Sequence, residues 1–237
     1  MMPVLRLCAA ALTMALPTAE AVAEPGKGAL VVVELYTSQG CVSCPPADAL
    51  LVELAKRRDL LPLALHVDYW DYIGWQDTFG SEAFTERQKT YARRAGERSI
   101  YTPQMVIGGD EKVVGFDPSE VARLIAKEQA EQAAASVELH READRLTVHL
   151  APLAAPVGTA EVQLVRFLPE ASVDILRGEN AGKTVVYTNI VTEMQQIGTW
   201  DGTAPVGLEV AVEGDEAIAV LVQADGQGPV LGAARID

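Results

Sequence analysis

The sequence predicts an α/β domain with a helical, aromatic-rich insert, followed by an all-β, sandwich-like region. Two observations carry this prediction. In residues 24–135, buried-looking strands alternate with amphipathic helices, whereas residues 136–237 contain short apolar runs without helices between them. The first 23 residues look different from both parts. We therefore divide the chain into a signal peptide at 1–23, an α/β domain at 24–135 and a β-sandwich-like domain at 136–237.

The start of the chain has the anatomy of a secretory signal peptide. Arg6 gives a weakly basic beginning, residues 7–16 are apolar, and Ala21-Val22-Ala23 forms an A-x-A cleavage site. The apolar run is too short to span a bilayer, and no later segment has the length of a membrane helix, so we expect no membrane span after cleavage. We expect a periplasmic or secreted protein, in a compartment where a cysteine pair can cycle through a disulfide.

The chain is acidic, with a formal net charge of −14 and a pI near 4.6. Cleavage would remove Arg6 and Glu20, which cancel, so the mature chain keeps this charge. Nucleic-acid-binding proteins present a basic face, and anionic membrane surfaces attract basic segments. The composition therefore argues against nucleic acids and anionic membrane surfaces as partners.

The first half of the α/β domain is predicted to be strand, helix, strand. Residues 30–36 are a β-branched apolar run of strand length, and residues 63–67 are predicted to be a second buried strand. Between them lies a loop at 37–44, followed by Pro45 and Pro46, which suit the first turn of a helix because their missing N–H groups cost nothing there. Apolar residues then recur at helical spacing at Ala47, Leu50, Leu51, Leu54 and Ala55. The order implies a parallel sheet.

The second half of this domain begins with an aromatic segment. Residues 69–98 hold seven of the thirteen aromatic side chains, and their part 81–94 looks helical. Aromatics in such a segment fill a core or line a ligand site. A strand at 104–107 and an antiparallel partner at 112–116 follow, joined by a glycine turn. Asp117, ahead of Pro118 and with Glu three positions later, is a helix N-cap.

The C-terminal part of the sequence has no helical pattern. Its Val, Leu, Ile and Thr residues alternate with polar residues, which indicates short strands with one buried face. Seven such strands without helices are typical of a β-sandwich or a small barrel. The runs are 137–141, 145–150, 161–168, 184–192, 206–212, 217–223 and 229–236.

A Cys-x-x-Cys pair lies at the predicted strand-to-helix junction. Cys41 and Cys44 would sit at the N-terminus of a helix, where free N–H groups and the helix dipole stabilise a thiolate. Redox chemistry, metal binding and a structural disulfide are all open. A loop this short gives a disulfide only about 2 kcal/mol of chain-entropy stabilisation, which favours redox or metal chemistry over a structural role.

The order of elements, with Thr102-Pro103 directly before the hairpin, resembles that of the thioredoxin fold. Three segments, Glu34–Pro46, His66–Tyr72 and Arg177–Gly182, together resemble a family of exported bacterial thioredoxin-like proteins catalogued as a domain of unknown function. The resemblance covers nearly all of the mature chain. It implies a fold but no substrate. The chain departs from ordinary thioredoxins in lacking a Trp before Cys41, in its Val-Ser pair between the cysteines, and in the inserted segment.

The resemblance implies roles for five residues. Cys41 would attack a client disulfide or, as part of a disulfide itself, be attacked by a thiolate, and Cys44 would resolve the mixed disulfide. Pro103 would be a cis-proline beside the sulfurs, and the backbone of Thr102 would pair with an extended client segment. Glu34 would exchange protons with Cys44, which requires burial to raise its pKa. From the residues alone, Glu34 equally suits the solvent or an arginine partner, and a trans proline in an ordinary loop is the alternative for Pro103.

These observations predict an exported thiol–disulfide oxidoreductase-like protein. It would act on an unknown protein client with an unknown redox partner, using a redox-active disulfide and no other cofactor or metal. The alternative is a copper-handling protein, because Cys41, Cys44 and His66 together suit Cu(I), which prefers soft ligands. His66 also suits a buried core position. A third possibility is a non-catalytic protein whose residues 136–237 bind a partner.

Overall fold

The computed structural model describes residues 21–22, 30–114, 117–131 and 133–236. The predicted signal peptide therefore lies outside the described residues except for Ala21 and Val22, and so do the last two residues of the predicted 112–116 strand. In the described part of the chain, no helix is long and apolar enough to cross a membrane.

Twelve strands, three α-helices and one 3-10 turn are present in the described residues. The first part contains β1 (Ala21–Val22), β2 (Val31–Thr37), α1 (Pro45–Ala55), β3 (Leu60–His66), a 3-10 turn (Asp71–Ile73), α2 (Glu82–Arg94), β4 (Gln104–Ile107), β5 (Glu111–Val114) and α3 (Pro118–Ala130). The second part contains β6 (Ala135–Glu142), β7 (Arg145–Pro152), β8 (Ala160–Asp174), β9 (Thr184–Trp200), β10 (Val206–Ala211), β11 (Ala217–Ala224) and β12 (Val230–Ile236). Each of the seven C-terminal runs coincides with a strand.

The strands form two sheets. The larger has the order β12-β11-β8-β9-β3-β2-β4-β5, and the smaller has the order β1-β6-β7-β10. In the larger sheet, β2 and β3 are parallel, as the strand–helix–strand order predicts. β3 also pairs in parallel with β9 through Ala64 and Ile190, and the remaining neighbours are antiparallel. The result is one mixed sheet of eight strands.

The predicted fold class is wrong. Instead of a thioredoxin-like unit with a helical insert and a separate β-sandwich, the described part of the chain is mostly sheet, with 45% of its residues in strands and 20% in helices. Strands β8, β9, β11 and β12 extend the sheet of β2–β5. Residues 69–98 contribute only α2 and the 3-10 turn. The alternation of apolar and polar residues identifies a strand but not its partner, so the pairing of β3 with the distant β9 left no sign in the pattern.

The two faces of β2 pack against different layers. Val33 and Leu35 belong to the core with α1 and α3, whereas Val32 and Tyr36 belong to a second core. That second core includes side chains of α2, β8 and β11, so it joins the two parts of the chain. Because side chains alternate along a strand, Glu34 points to this second core and away from α1. A third core lies between the smaller sheet and β8, β11 and β12.

Candidate functional site

The cysteine pair forms a disulfide at the start of α1. Cys44 is the N-cap residue of the helix, and Cys41 is bonded to it. Both cysteines are buried, but Val42 and Ser43 between them are exposed. The two residues between the cysteines therefore lie at the surface, whereas both cysteines are buried.

The first turn of α1 offers few N–H donors to a thiolate. The N–H of Cys44 donates to the carbonyl of Cys41, and the N–H of Ala47 donates to the carbonyl of Cys44. Between them, Pro45 and Pro46 have no N–H. At each of these four positions the N–H is either already bonded to a backbone carbonyl or missing. Stabilisation of a thiolate here therefore depends on the helix dipole rather than on direct hydrogen bonds.

A loop between β8 and β9 anchors the disulfide segment. Asn180 is buried, and its Nδ2 donates to the carbonyl oxygens of Gln39 at 2.9 Å and Cys41 at 2.8 Å. Its Oδ1 accepts a 2.8 Å hydrogen bond from Lys183 Nζ. The loop 177–182 therefore belongs to the site. The sequence marked it only through the family resemblance.

The aromatic segment anchors the disulfide loop from a second side through Gln39. The backbone N–H of Gln39 donates to Asp77 Oδ2 at 2.7 Å. Its side-chain Oε1 accepts from Trp75 Nε1 at 2.8 Å, and its Nε2 donates to Thr78 Oγ1 at 2.9 Å. A Cβ on Gly40 would lie 3.2 Å from Trp70 Cβ, so this backbone packs closely on the aromatic segment. Trp70 and Trp75 therefore help to hold the disulfide loop in place.

The Thr102–Pro103 peptide bond is cis. Pairing of Tyr36 with Gln104 places Pro103 opposite the end of β2, where the disulfide loop begins. Thr102 Oγ1 accepts a 2.7 Å hydrogen bond from Trp70 Nε1. The structure therefore brings Thr102 and Pro103 to the same end of the sheet as Cys41 and Cys44.

Glu34 is held by a buried arginine rather than placed beside the disulfide. Glu34 Oε1 accepts from Arg87 Nε at 2.7 Å, and both side chains are less than 10% exposed. Arg87 also donates to Gln163, Gln223 and Tyr91. Arginine pairing, one of the two alternatives left open by the residues, is the arrangement in the structure. Glu34 lies on the face of the sheet opposite α1.

The acid on the disulfide side of the sheet is Asp48. Asp48 lies one turn after Cys44 in α1, and its Oδ1 accepts a 2.7 Å hydrogen bond from Thr37 Oγ1. Burial raises the pKa of Asp48 to about 7. Sequence reasoning missed it, although a signal was available. An aspartate one turn from Cys44 and three residues before the apolar Leu51 lies on the buried stripe of the helix.

A buried histidine and a second carboxylate lie next to Asp48. His66 Nδ1 is 2.8 Å from Asp77 Oδ2, and both side chains are fully buried. Burial by itself raises the pKa of Asp77, but its interactions with His66 and its backbone hydrogen bonds outweigh burial and lower that pKa below its usual value. The ring of His66 packs edge-on against Phe79 and Tyr187. Asp77 thereby links His66 to the disulfide loop through Gln39.

The donor groups of the copper alternative are not brought together. Within the described residues, no group of three or more His, Cys, Asp and Glu side chains is arranged to hold a metal ion. His66 instead faces Asp77. Cys41, Cys44 and His66 therefore do not form a ligand set in this structure.

Comparisons with known proteins place the chain in a family. A family model described as a protein of unknown function (DUF1223) matches residues 32–223. Protein AGR_C_4864 from Agrobacterium tumefaciens is similar in its crystal structure, with 34% identity, coverage of 89% of this chain and 95% of that chain, and a TM-score of 0.76. HBP35 of Porphyromonas gingivalis shares the fold at 14% identity, covering 88% of this chain and 74% of that chain, with a TM-score of 0.63. No curated protein matches the chain.

Proposed function

We propose a function for this chain, which belongs to the DUF1223 family of proteins of unknown function: it exchanges thiols and disulfides with protein clients through Cys41 and Cys44. The observation that carries the proposal is the disulfide itself, closed between two residues at the N-terminus of α1 that are separated by the exposed Val42 and Ser43. The signal-like start of the chain supports a site of action in the periplasm or outside the cell.

A purely structural role explains this disulfide less well. Cross-linking residues so close in sequence contributes only about 2 kcal/mol by the chain-entropy relation. The segment is already held by Asn180 of the 177–182 loop and, through the side chain of Gln39, by Trp75 and Thr78 of the aromatic segment. A further constraint of this kind is redundant for stability, whereas a disulfide that opens without loss of the fold needs such support.

The proposed exchange consists of two successive thiolate attacks. A client thiolate attacks Cys41 Sγ; the bond between the client and Cys41 forms as the bond to Cys44 breaks, and the electron pair leaves on the Cys44 sulfur, which takes up a proton. A second client thiolate then attacks the client sulfur of the mixed disulfide and releases the Cys41 thiolate. The client loses two electrons and the cysteine pair gains them. The reverse sequence reduces a client disulfide.

The surface around the disulfide suits a protein client. Val42 is 53% exposed, Tyr72 is 80% exposed and Leu176 is 74% exposed. They project from the disulfide loop, the aromatic segment and the segment that leads into the Asn180 loop, which contact one another through Gln39 and Asn180. Exposed apolar side chains on the segments that hold the disulfide support a polypeptide client.

The proposal is tested by equilibrating the full chain in buffers of graded reduced-to-oxidised glutathione ratio. Alkylation and intact-mass measurement then count the free thiols. We expect a reversible transition between no free thiol and two free thiols while the far-UV circular dichroism stays native. A pair that stays oxidised at every ratio until the chain is unfolded would identify a structural disulfide and refute the exchange function.

A further inference from the structure

Two aromatic side chains at the 3-10 turn stack on each other beside the disulfide loop. The rings of Trp70 and Tyr72 are nearly parallel, with 17° between their planes and 6.4 Å between their centroids. Trp70 is half-buried, whereas Tyr72 is 80% exposed. These two side chains, the aromatic pair, therefore present an open ring that is supported by a second ring on its protein side.

Trp70 joins the aromatic pair to both sides of the disulfide site. Its Nε1 donates a 2.7 Å hydrogen bond to Thr102 Oγ1, next to the cis bond of Pro103. On the other side, a Cβ on Gly40, the residue before Cys41, would lie 3.2 Å from Trp70 Cβ. The aromatic pair is thus fixed where it adjoins both the disulfide loop and the cis-proline turn, within reach of a polypeptide bonded to Cys41.

The segment that carries the aromatic pair is acidic. Residues 60–86 contain five Asp and Glu residues and no Lys or Arg. Asp71 lies between the two aromatic residues in sequence, and within the described residues neither it nor Asp68 has an ion-pair partner. Burial raises the pKa of Asp71, and repulsion from the carboxylates of Asp77 and Asp68 adds to this. The charge beside the rings is therefore negative and uncompensated.

An open aromatic ring next to unpaired carboxylates matches the chemistry of an arginine side chain. The guanidinium group is planar and weakly hydrated, stacks on aromatic faces and pairs with carboxylates. The ammonium group of lysine is more strongly hydrated and has no flat face. An aliphatic side chain would use the ring alone, and an acidic one would be repelled. Arginine is the side chain that uses both the ring of Tyr72 and the carboxylate of Asp71.

We propose that the aromatic pair and Asp71 form a client-binding surface that takes an arginine side chain close in sequence to the client's cysteine. The inference rests on the proposed exchange function and adds the class of client, a polypeptide with a basic residue near its reacting cysteine. The guanidinium stacks on the open face of Tyr72 and pairs with Asp71, while the client sulfur reaches Cys41. The net charge of −14 adds a long-range attraction for such clients.

The first test measures client preference with the Cys44→Ser variant of the full chain and the symmetrical disulfides of four peptides. The peptides differ in one residue near the cysteine, which is arginine, its uncharged isostere citrulline, leucine or glutamate. Adduct formation at Cys41 is followed by intact mass, and each rate is divided by the rate of the same peptide with mercaptoethanol, which corrects for the peptide's own reactivity. We expect the arginine peptide to react about fivefold faster than the citrulline peptide, and the glutamate peptide to be the slowest. An arginine peptide no faster than the citrulline or leucine peptide would overturn the proposal.

Variants made in the same Cys44→Ser background locate the preference. Tyr72→Leu keeps an apolar side chain without the ring, and Asp71→Asn removes the charge but keeps an oxygen for the 3.0 Å hydrogen bond from the backbone of Asp77. Both should lose the preference for arginine, whereas Tyr72→Phe retains the ring and should retain the preference. Asp201→Asn is the matched control, because Asp201 Oδ1 also accepts a 3.0 Å backbone hydrogen bond but lies between β9 and β10. A preference that survives in Tyr72→Leu or Asp71→Asn, or is lost in Asp201→Asn, would overturn the proposal.

The second test does not depend on exchange. The oxidised wild-type chain is titrated with the arginine peptide in which serine replaces cysteine, and the indole N–H signals are followed by NMR. We expect the Trp70 signal to shift and the Trp200 signal to stay, because Trp200 donates to the carbonyl of Ala204 in the other half of the chain. An unmoved Trp70 signal in a chain that forms peptide adducts would remove this surface and leave the proposed function standing. No adduct with any peptide or with oxidised glutathione would remove the proposed function, and this inference with it.

Discussion

Asn180 and Cys41 lie 139 positions apart in the sequence, yet the side-chain amide of Asn180 donates a 2.8 Å hydrogen bond to the carbonyl oxygen of Cys41. The bond ties the connection between β8 and β9 to the cysteine pair before α1. The same strands extend the sheet that carries β2 and β3. The C-terminal strands therefore build part of the disulfide site. The predicted division into an α/β domain at 24–135 and a separate β-sandwich-like domain at 136–237 does not anticipate this.

Loss of the Asn180 amide is expected to free the disulfide loop. Asn180→Ala removes two buried hydrogen bonds to the carbonyls of Gln39 and Cys41, which should cost about 1–3 kcal/mol of unfolding free energy. The disulfide should also open faster with reduced glutathione, because its backbone is no longer held. Urea unfolding and a stopped reaction with alkylation measure the two effects.

A matched control for this variant is Asn189→Gly. Asn189 is buried, donates to the carbonyl of Pro62 at 2.8 Å, and has a positive φ that glycine accepts. We expect a comparable stability loss with an unchanged rate of disulfide opening. Equal rates of disulfide opening in Asn180→Ala and the wild type would show that the 177–182 loop does not control access of glutathione to the disulfide.

The Glu34–Arg87 pair is expected to matter for stability and not for exchange. Glu34→Gln leaves the buried Arg87 without its carboxylate, which should cost about 3–5 kcal/mol. The rate of disulfide exchange should stay within about twofold of the wild type, because Glu34 lies on the far face of the sheet. Glu120→Gln, which breaks an exposed pair with Arg123, should leave the unfolding free energy nearly unchanged. If Glu34→Gln slowed exchange without loss of stability, Glu34 would have a role in the exchange reaction.

The raised pKa of Asp48 predicts how stability changes with pH. Its pKa rises from 3.8 in the unfolded chain to about 7 in the folded one, so between these values the folded state holds a proton that the unfolded state has lost. The wild-type unfolding free energy therefore falls as pH rises through this window, by up to about 4 kcal/mol, and this contribution is constant above it.

The Asp48→Asn variant isolates this contribution, because asparagine does not titrate. The stability of the variant relative to the wild type should rise between pH 4 and pH 7, measured by urea unfolding at fixed ionic strength. Glu53→Gln, which removes an exposed carboxylate of the same helix, is the comparison variant. A stability difference for Asp48→Asn that is constant across the window would contradict the burial of a protonated carboxyl.

Two glycines of the Asn180 loop separate backbone strain from close packing. Gly178 and Gly182 both have positive φ, and a Cβ on Gly178 would lie 3.2 Å from Trp75 Cβ, whereas a Cβ on Gly182 meets nothing within 4 Å. Both alanine variants pay about 1 kcal/mol for the backbone conformation. Gly178→Ala should lose more stability and also open its disulfide faster, because the loop moves off the aromatic segment. Identical effects in both variants would contradict that packing.

Local features of the sequence predicted local structure well. The seven C-terminal runs are strands, and the Asp117 N-cap accepts hydrogen bonds from Ser119 and Glu120 as its motif predicts. Cys41 and Cys44 stand at the start of a helix. In each case the deciding interactions lie within a few residues, so composition and period carry the information.

Features that depend on distant partners could not be predicted. The sequence around Glu34 does not show whether its side chain faces Cys44 or Arg87, because its partner is set by which face of β2 packs on α2. The pairing of Ala64 with Ile190 decides the eight-stranded sheet, yet a strand edge has no residue code for its neighbour. Asp48 could have been found from its place on the buried stripe of α1, and Asp77 could not, since it lies in an irregular segment.

The most direct test of exchange at the cysteine pair is a trapping measurement with two single-cysteine variants. Cys44→Ser and Cys41→Ser are each incubated, natively folded, with a disulfide-linked peptide that carries apolar residues beside its cysteine, and adducts are followed by intact mass. We predict that Cys44→Ser accumulates a stable mixed disulfide through Cys41, at least tenfold faster than Cys41→Ser does through the more buried Cys44. Equal rates in the two variants, or no adduct until the chain is unfolded, would contradict a redox role for the pair.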